Sequence, residues 1–160
     1  MSLVDSFNIG AQLKAVMGST NVVLSQTSAA AASAVDGLTI DRTALGRRYY
    51  SAKAIAAFQY LAASSQTVAT LAISFSHSSD GTSWDAYSTA TNPTAVQFGT
   101  TAGGTTDYDT IEQSVNLNGA RRYLRVQIPA PTYANCSSGQ GVFTGGSIIV
   151  FGGADIAPAQ

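Results

Sequence analysis

Cysteine and histidine each occur once in this 160-residue chain, as Cys136 and His77, and glutamate once, as Glu112. A lone cysteine makes no internal disulfide, so the fold has to stand without one and nothing points to an oxidising compartment. One histidine and one cysteine also fall short of the ligand set that zinc requires. His77 has Ser78, Ser79 and Asp80 beside it. Neighbours on one hairpin do not present nucleophile, base and orienting carboxylate in the spatial order a triad needs, and no nucleophile-elbow sequence is present. His77 therefore reads as a strand-end residue hydrogen-bonded within its hairpin, and Cys136 as a small, partly buried thiol. Glu112 forms the one carboxylate cluster with Asp107 and Asp109, but alternation puts the two aspartates on one side and Glu112 on the other, with no glycine to close a calcium loop. No acid, base and nucleophile set remains, so the expectation is a protein with no enzymatic activity and no cofactor or metal.

Charge is scarce as well. Charged residues make up 11% of the chain and the net charge is −1, which leaves no electrostatic footprint for nucleic acid. The two basic doublets, Arg47-Arg48 and Arg121-Arg122, read as solvated strand ends or cross-strand pairs. No segment approaches the roughly 18 apolar residues of a membrane span, and the start, MSLVDSFNIGAQLKAVMG, lacks the form of a secretory signal. The expectation is a product made in the cytoplasm and used without export by the general route, with no membrane partner. A surface so poor in charge suits a shell or array component whose faces are covered by neighbours.

What is present is alternation. In TLAISFSHSSDGTSW, Leu71, Ile73 and Phe75 fall on one face and Thr70, Ala72, Ser74 and Ser76 on the other, the period of a strand covered on one side. Asp80-Gly81 then supplies a two-residue hairpin turn, and Asn118-Gly119 is expected to do the same between Val115–Leu117 and the set Leu124, Val126 and Ile128. Arg122 shares the parity of Leu124 and Val126, which turns it toward the covered face, so loss of Arg122 or Tyr123 is expected to hurt folding. Trp84 reads as core. Strands are expected at 37–41, 49–61, 68–77, 84–88, 95–98, 108–117, 121–128 and 147–151. The alanine run at 52–63 is equally compatible with a helix, and strand is preferred. Pro129 and Pro131 end their strand, and the glycine-rich stretch TYANCSSGQGVFTGG reads as a long loop of the kind that carries binding.

The fold class predicted is an all-β antiparallel sandwich or jelly roll over 36–153, preceded by an N-terminal arm or short helix at 1–35 and followed by a tail at 154–160. Leu3, Phe7, Leu13 and Met17 have rough helical spacing interrupted by Gly10, and are the candidate anchors by which such an arm docks on a neighbouring subunit.

ISFSHSSDGTSWDAY, followed some forty residues later by ARRYLRVQI, resembles a pattern of small virion proteins of tailed bacteriophages, and LTIDRTALGRRYYSAKAIAAFQY is similar to its opening. Coverage is about 38 to 151, through short motifs. The resemblance implies a capsid decoration or cement protein: a β-sandwich on the outside of the head, commonly trimeric, partnered by the major capsid protein and by itself, bracing capsomers and carrying no catalytic residues. The same letters are also similar to the discoidin-type jelly roll, which implies glycan or lipid-headgroup binding through loops at one end. A tail-associated sandwich is a further alternative.

Overall fold

Side-chain alternation resolves the alanine run. In strand β4 (Tyr49–Ala62), Ala52, Ala54, Ala56, Phe58, Tyr60 and Ala62 are buried while Ser51, Ala57 and Leu61 are exposed, a period of two and not of a helix. The inward alanines at 52, 54, 56 and 62 contribute little volume, and the aromatics at 58 and 60 supply the bulk of what this strand puts into the core. In this computed structural model the described residues are 12–26, 33–62, 68–87, 95–98, 106–134 and 141–154.

The chain begins with β1 (Lys14–Gln26), β2 (Val35–Asp36) and β3 (Ile40–Asp41), then a 3-10 turn at Arg42–Leu45 and β4. It continues through β5 (Val68–Ala72), β6 (Ser74–Ser78), β7 (Asp85–Ala86), β8 (Ala95–Phe98), β9 (Thr106–Asn116), β10 (Tyr123–Ile128), β11 (Thr132–Ala134) and β12 (Gly141–Ala154). One layer is a long sheet in the order β1-β12-β4-β9. Its partner consists of β2-β10-β6-β7, with β3 also on β10, and β11-β5-β8. Because β5 and β6 are parted by Ile73 alone, and β10 and β11 by Pro129 to Pro131, the shorter pieces run on from one another. With β2 and β3 also counted together, as both lie on β10, and β7 and β8 together, as they lie on β6 and β5, the described strands number eight in chain order, arranged 1-8-3-6 in one layer and 2-7-4-5 in the other, which is a jelly roll. Every pairing is antiparallel.

The layers meet through aromatic rings. Tyr60 and Phe143 from the long sheet stack at 4.5 Å, and Phe98 and Tyr133 from the opposite layer pack on Phe143 at 4.9 and 6.3 Å. Tyr49 and Phe151 pair at 5.8 Å farther along. Such contacts add about 0.5–1.5 kcal/mol each beyond the area they bury.

Several expectations need correction. Of the segment 1–35, residues 14–26 form β1, which pairs with β12 from Lys14↔Phe151 to Gln26↔Gly141 and is neither an arm nor a helix, and Val35 opens β2. Its alternation is hidden because the register shifts between Met17 and Ser19 and again between Ser19 and Val22, where Asn21 takes a φ of 50°. The glycine-rich stretch read as a loop turns into β12 at Gly141. Glycine is required there because a Cβ on Gly145 would stand 2.1 Å from the Ala57 carbonyl oxygen and 2.6 Å from Phe58 Cδ1. Finally, Asn118-Gly119 is no hairpin: β9 belongs to the long sheet and β10 to the other, so the turn, closed by the Ala120 amide on the Leu117 carbonyl at 3.1 Å, carries the chain between layers.

One side of the sandwich is stitched shut. The Gly37 amide donates to the Val126 carbonyl at 2.8 Å, and the Leu38 amide donates to the Gly18 carbonyl at 2.7 Å, so consecutive amides tie the second layer to the bulge of β1.

Candidate functional site

The outer face of the long sheet is where the surface departs from an ordinary one. Register puts Ile148 of β12 between Met17 of β1 and Ile55 of β4, and Val150 between Ala15 and Lys53. Leu13, Met17, Val23, Leu61, Tyr108 and Ile148 are six of the seven large apolar side chains left exposed among the described residues, and all six lie on this face or its β1 edge. The charges beside them form one cross-strand ion pair, Lys53 with Glu112. Three shallow depressions mark the face: one of about 380 Å³ between Met17, Asn21, Ile55 and Ile148, one of about 730 Å³ bounded by Leu13, Lys53, Ile55 and Val150, and one of about 500 Å³ beside Gln59, Tyr108 and Thr144. A broad sheet face of this kind offers area and little directional chemistry, so it suits contact with another protein surface better than capture of a small molecule.

Of the four anchors predicted in the N-terminal segment, Leu13 and Met17 fall on this face, 44% and 50% exposed, while Leu3 and Phe7 lie outside the described residues. The rest of the face was not singled out from the sequence. Outward positions of β4 and β12 are Lys53, Ile55, Ala57, Gly146, Ile148 and Val150, and they look like a second core stripe until the pairing is known.

The hairpin residues sit elsewhere, on the second layer. β6 and β7 do pair, through Ser76↔Ala86 and His77↔Asp85, but the connection spans 79–84 and is not a two-residue turn. Asp80 Oδ1 organises it by accepting from the Thr82 and Ser83 amides, each at 2.8 Å, and from the Ser78 hydroxyl at 2.8 Å. The Ser83 and Thr82 amides, with the Ser78 hydroxyl, hold the Asp80 carboxyl well below the usual carboxylate range. Gly81, at a φ of 80°, supplies the left-handed backbone there. His77, next to last in β6, stacks on Tyr87 at 4.5 Å and accepts the Arg121 amide at Nδ1.

Trp84 is not core. Its ring lies under the Arg125 guanidinium at 4.1 Å, on the outward side of β10, and Arg125 reaches on to Asp36 at 3.0 Å. Arg122 is likewise not inward: its side chain is 52% exposed, because β10 begins only at Tyr123 and the alternation of Leu124 and Val126 does not extend back to it. Arg122 instead forks onto Asp41, with Nη2 to Oδ2 at 2.7 Å, and covers the Tyr123 ring at 4.9 Å. That guanidinium holds the Asp41 carboxyl well below its ordinary range. Asp107 and Asp109 each accept the amide of the following residue, and among the described residues no group of three metal-ligating side chains occurs. Cys136 lies outside the described residues.

These elements define a jelly-roll domain with an exposed, charge-poor sheet face. No protein-family model matches the chain, and no curated protein matches it. Among solved structures the chain is similar to the infectious bursal disease virus VP2 subviral particle, with a TM-score of 0.54, 10% identity, and coverage of 91% of this chain and 34% of that one. It is similar also to the structure of the infectious bursal disease virus Gx strain, with a TM-score of 0.51, 12% identity, and coverage of 87% and 31%. A looser match is the PBSX exported protein XepA, with a TM-score of 0.42, 20% identity, and coverage of 92% and 39%. The chain thus spans about a third of the length of the two viral proteins it matches. At these identities the likeness is one of fold.

Proposed function

We propose that this chain is a non-enzymatic structural protein of a bacteriophage virion, bound to the outside of the capsid as a decoration or cement protein. The observation that carries the reading is the outer face of β1-β12-β4-β9, where Met17, Ile55, Ile148 and Val150 make a shallow apolar stripe crossed by a single ion pair. The jelly roll, the fold shared with VP2 of a virus particle, is consistent with it. The partners are the major capsid protein and further copies of the chain, as a homotrimer. An interface of about 1,600 Å² is enough for stable binding, and trimerisation raises the effective concentration of each contact. The sheet face takes over the role that the sequence assigned to an arm, and Leu13 and Met17 belong to it.

The test is absolute mass by light scattering, followed by co-sedimentation with capsids lacking the protein. A mass near three times 16.4 kDa and saturable capsid binding, lost when Met17 and Ile148 are both changed to lysine, is the expected result. Unchanged capsid binding by that double variant overturns the assignment to this face. A clean monomer indifferent to capsids favours the second reading, a glycan-binding jelly roll. Trp84 on the outward side of β10, beside Arg125, is the observation that keeps that reading in play.

A further inference from the structure

Five of the chain's eight basic residues, Arg42, Arg47, Arg48, Arg121 and Arg122, gather at one end of the sandwich. The fold makes this cluster by bringing the connection between β3 and β4 against the turn that joins the two layers. Arg42 is the clasp: it donates to the carbonyls of Ala120, Arg121 and Leu117, which fixes one arginine doublet beside the other. Between them lies an open cleft of about 430 Å³ lined by Arg42, Arg47, Arg48 and Arg122, with Leu45 and Tyr49 as its apolar part.

The carboxylates at this end are already engaged. Asp41 holds Arg122, Asp85 holds Arg121, and Asp80 serves the amides of its own turn. Arg47 is exposed and makes no hydrogen bond or ion pair among the described residues, and Arg48 has only the Tyr50 ring beneath it at 5.3 Å. Burial chiefly disfavours the protonated form of Arg42, with the Tyr87 side chain opposing this and the like charge of Arg48 adding to it, and among the described residues no carboxylate pairs with Arg47 or Arg48. A net charge of −1 conceals this local excess.

We propose that this cleft binds an acidic segment of a partner protein, with the carboxylates of that segment taken by Arg47 and Arg48. Guanidinium groups present a planar fork that matches a carboxylate, and the Arg122–Asp41 pair already shows that geometry at the rim, with Nε at 3.2 Å from both oxygens. Leu45 and Tyr49 give apolar side chains between the acidic ones a place to lie. A nucleic-acid backbone is a poorer fit, since its affinity comes from many phosphate contacts and only two arginines here are uncommitted. The proposal does not depend on the virion reading.

The experiment is a titration of the isotope-labelled full chain with a capped peptide alternating glutamate and leucine, followed by amide and arginine Nε chemical shifts. A glutamine–leucine peptide and inorganic phosphate serve as comparators. Shifts confined to 42–49 and 120–123 are expected. Affinity should fall about tenfold in Arg47→Glu and stay unchanged in Lys14→Glu, which alters net charge equally at β1. Arg47→Ala, with a smaller loss, guards against a folding defect in the charge reversal. Absence of shifts in the arginine loops, equal losses in Arg47→Glu and Lys14→Glu, or phosphate binding as well as the acidic peptide would each overturn the proposal.

Discussion

Gly37 faces the carbonyl oxygen of Gly18 so closely that a Cβ at position 37 would stand 2.4 Å from it, and 2.8 Å from the Val126 carbonyl on the other side. The contact lies where two amides join the layers, and both obstructing atoms are backbone, which cannot swing away. Gly37→Ala is therefore expected to destabilise the domain by about 3 kcal/mol, the upper part of the range for overpacking. Urea denaturation checks this, and a change under about 1 kcal/mol would show that the layers part there at little cost.

Ser19 and Ser147 share a buried hydroxyl–hydroxyl hydrogen bond of 2.8 Å across β1 and β12. Replacing either by alanine strands its partner, at about 1 kcal/mol. Replacing both removes the stranded group, so the double variant should be no less stable than the worse single one. A double-mutant cycle reads this directly, and simple additivity would contradict it.

Arg125 and Arg122 separate a covered guanidinium from an exposed one. The Arg125 side chain is 15% exposed, stacked on Trp84 and paired with Asp36, whereas Arg122 is 52% exposed. Arg125→Ala should cost about 1–2 kcal/mol, and Arg122→Ala less than about 1 kcal/mol. Trp84 is the chain's only tryptophan, so its emission should move to the red in Arg125→Ala and stay in place in Arg122→Ala.

Asp80 gives the fold an acid limb. Its folded-state carboxyl titrates below the unfolded value, so as the pH drops beneath about 4 the unfolded chain takes up the proton first and stability declines, the loss being complete only below the folded-state value. Asp80→Asn should flatten the dependence of stability on pH between about 4 and 2 while lowering stability at neutral pH. Thermal unfolding at a series of pH values shows which holds, and parallel curves for the two proteins would remove Asp80 as the cause.

Met17→Lys and Ile148→Lys act on side chains 50% and 38% exposed, on a face with no covering layer in the monomer. Each should leave stability within about 0.5 kcal/mol of the parent. Self-association in sedimentation velocity should weaken in both. A large loss of stability in either would mean that these residues serve the domain itself.

Much of this architecture was legible in the residues, and the failures have identifiable causes. Leu71, Ile73 and Phe75 announced their strand because small and polar residues alternate with them, and Tyr49 to Leu61 was read correctly to within a residue although its alanines left helix open. β1 was missed because two bulges interrupt its period, and the first half of β12 because steric necessity filled it with glycine. Asn118-Gly119 misled because the dipeptide signals a turn without saying whether the chain returns to the same sheet. Parity failed at Arg122 because it holds only where the ladder continues. Neither surface assigned a role here could be seen in one dimension: the apolar stripe needs the pairing of β1, β12 and β4, and the arginine cleft needs two doublets brought together by Arg42.

The central position of β12 has a consequence for how the molecule is made. This strand lies between β1 and β4, so the earliest strand finds no edge to pair with until residues 141–154 have left the ribosome. β4 and β9 can meet before then, but β1 must wait, with its apolar side chains uncovered, through synthesis of more than a hundred residues. Closure of the long sheet thus waits for its last described strand and is dominated by distant contacts, which makes it slow. In that interval Met17, Val22 and Leu24 are the segment through which a nascent chain would stick to its neighbours.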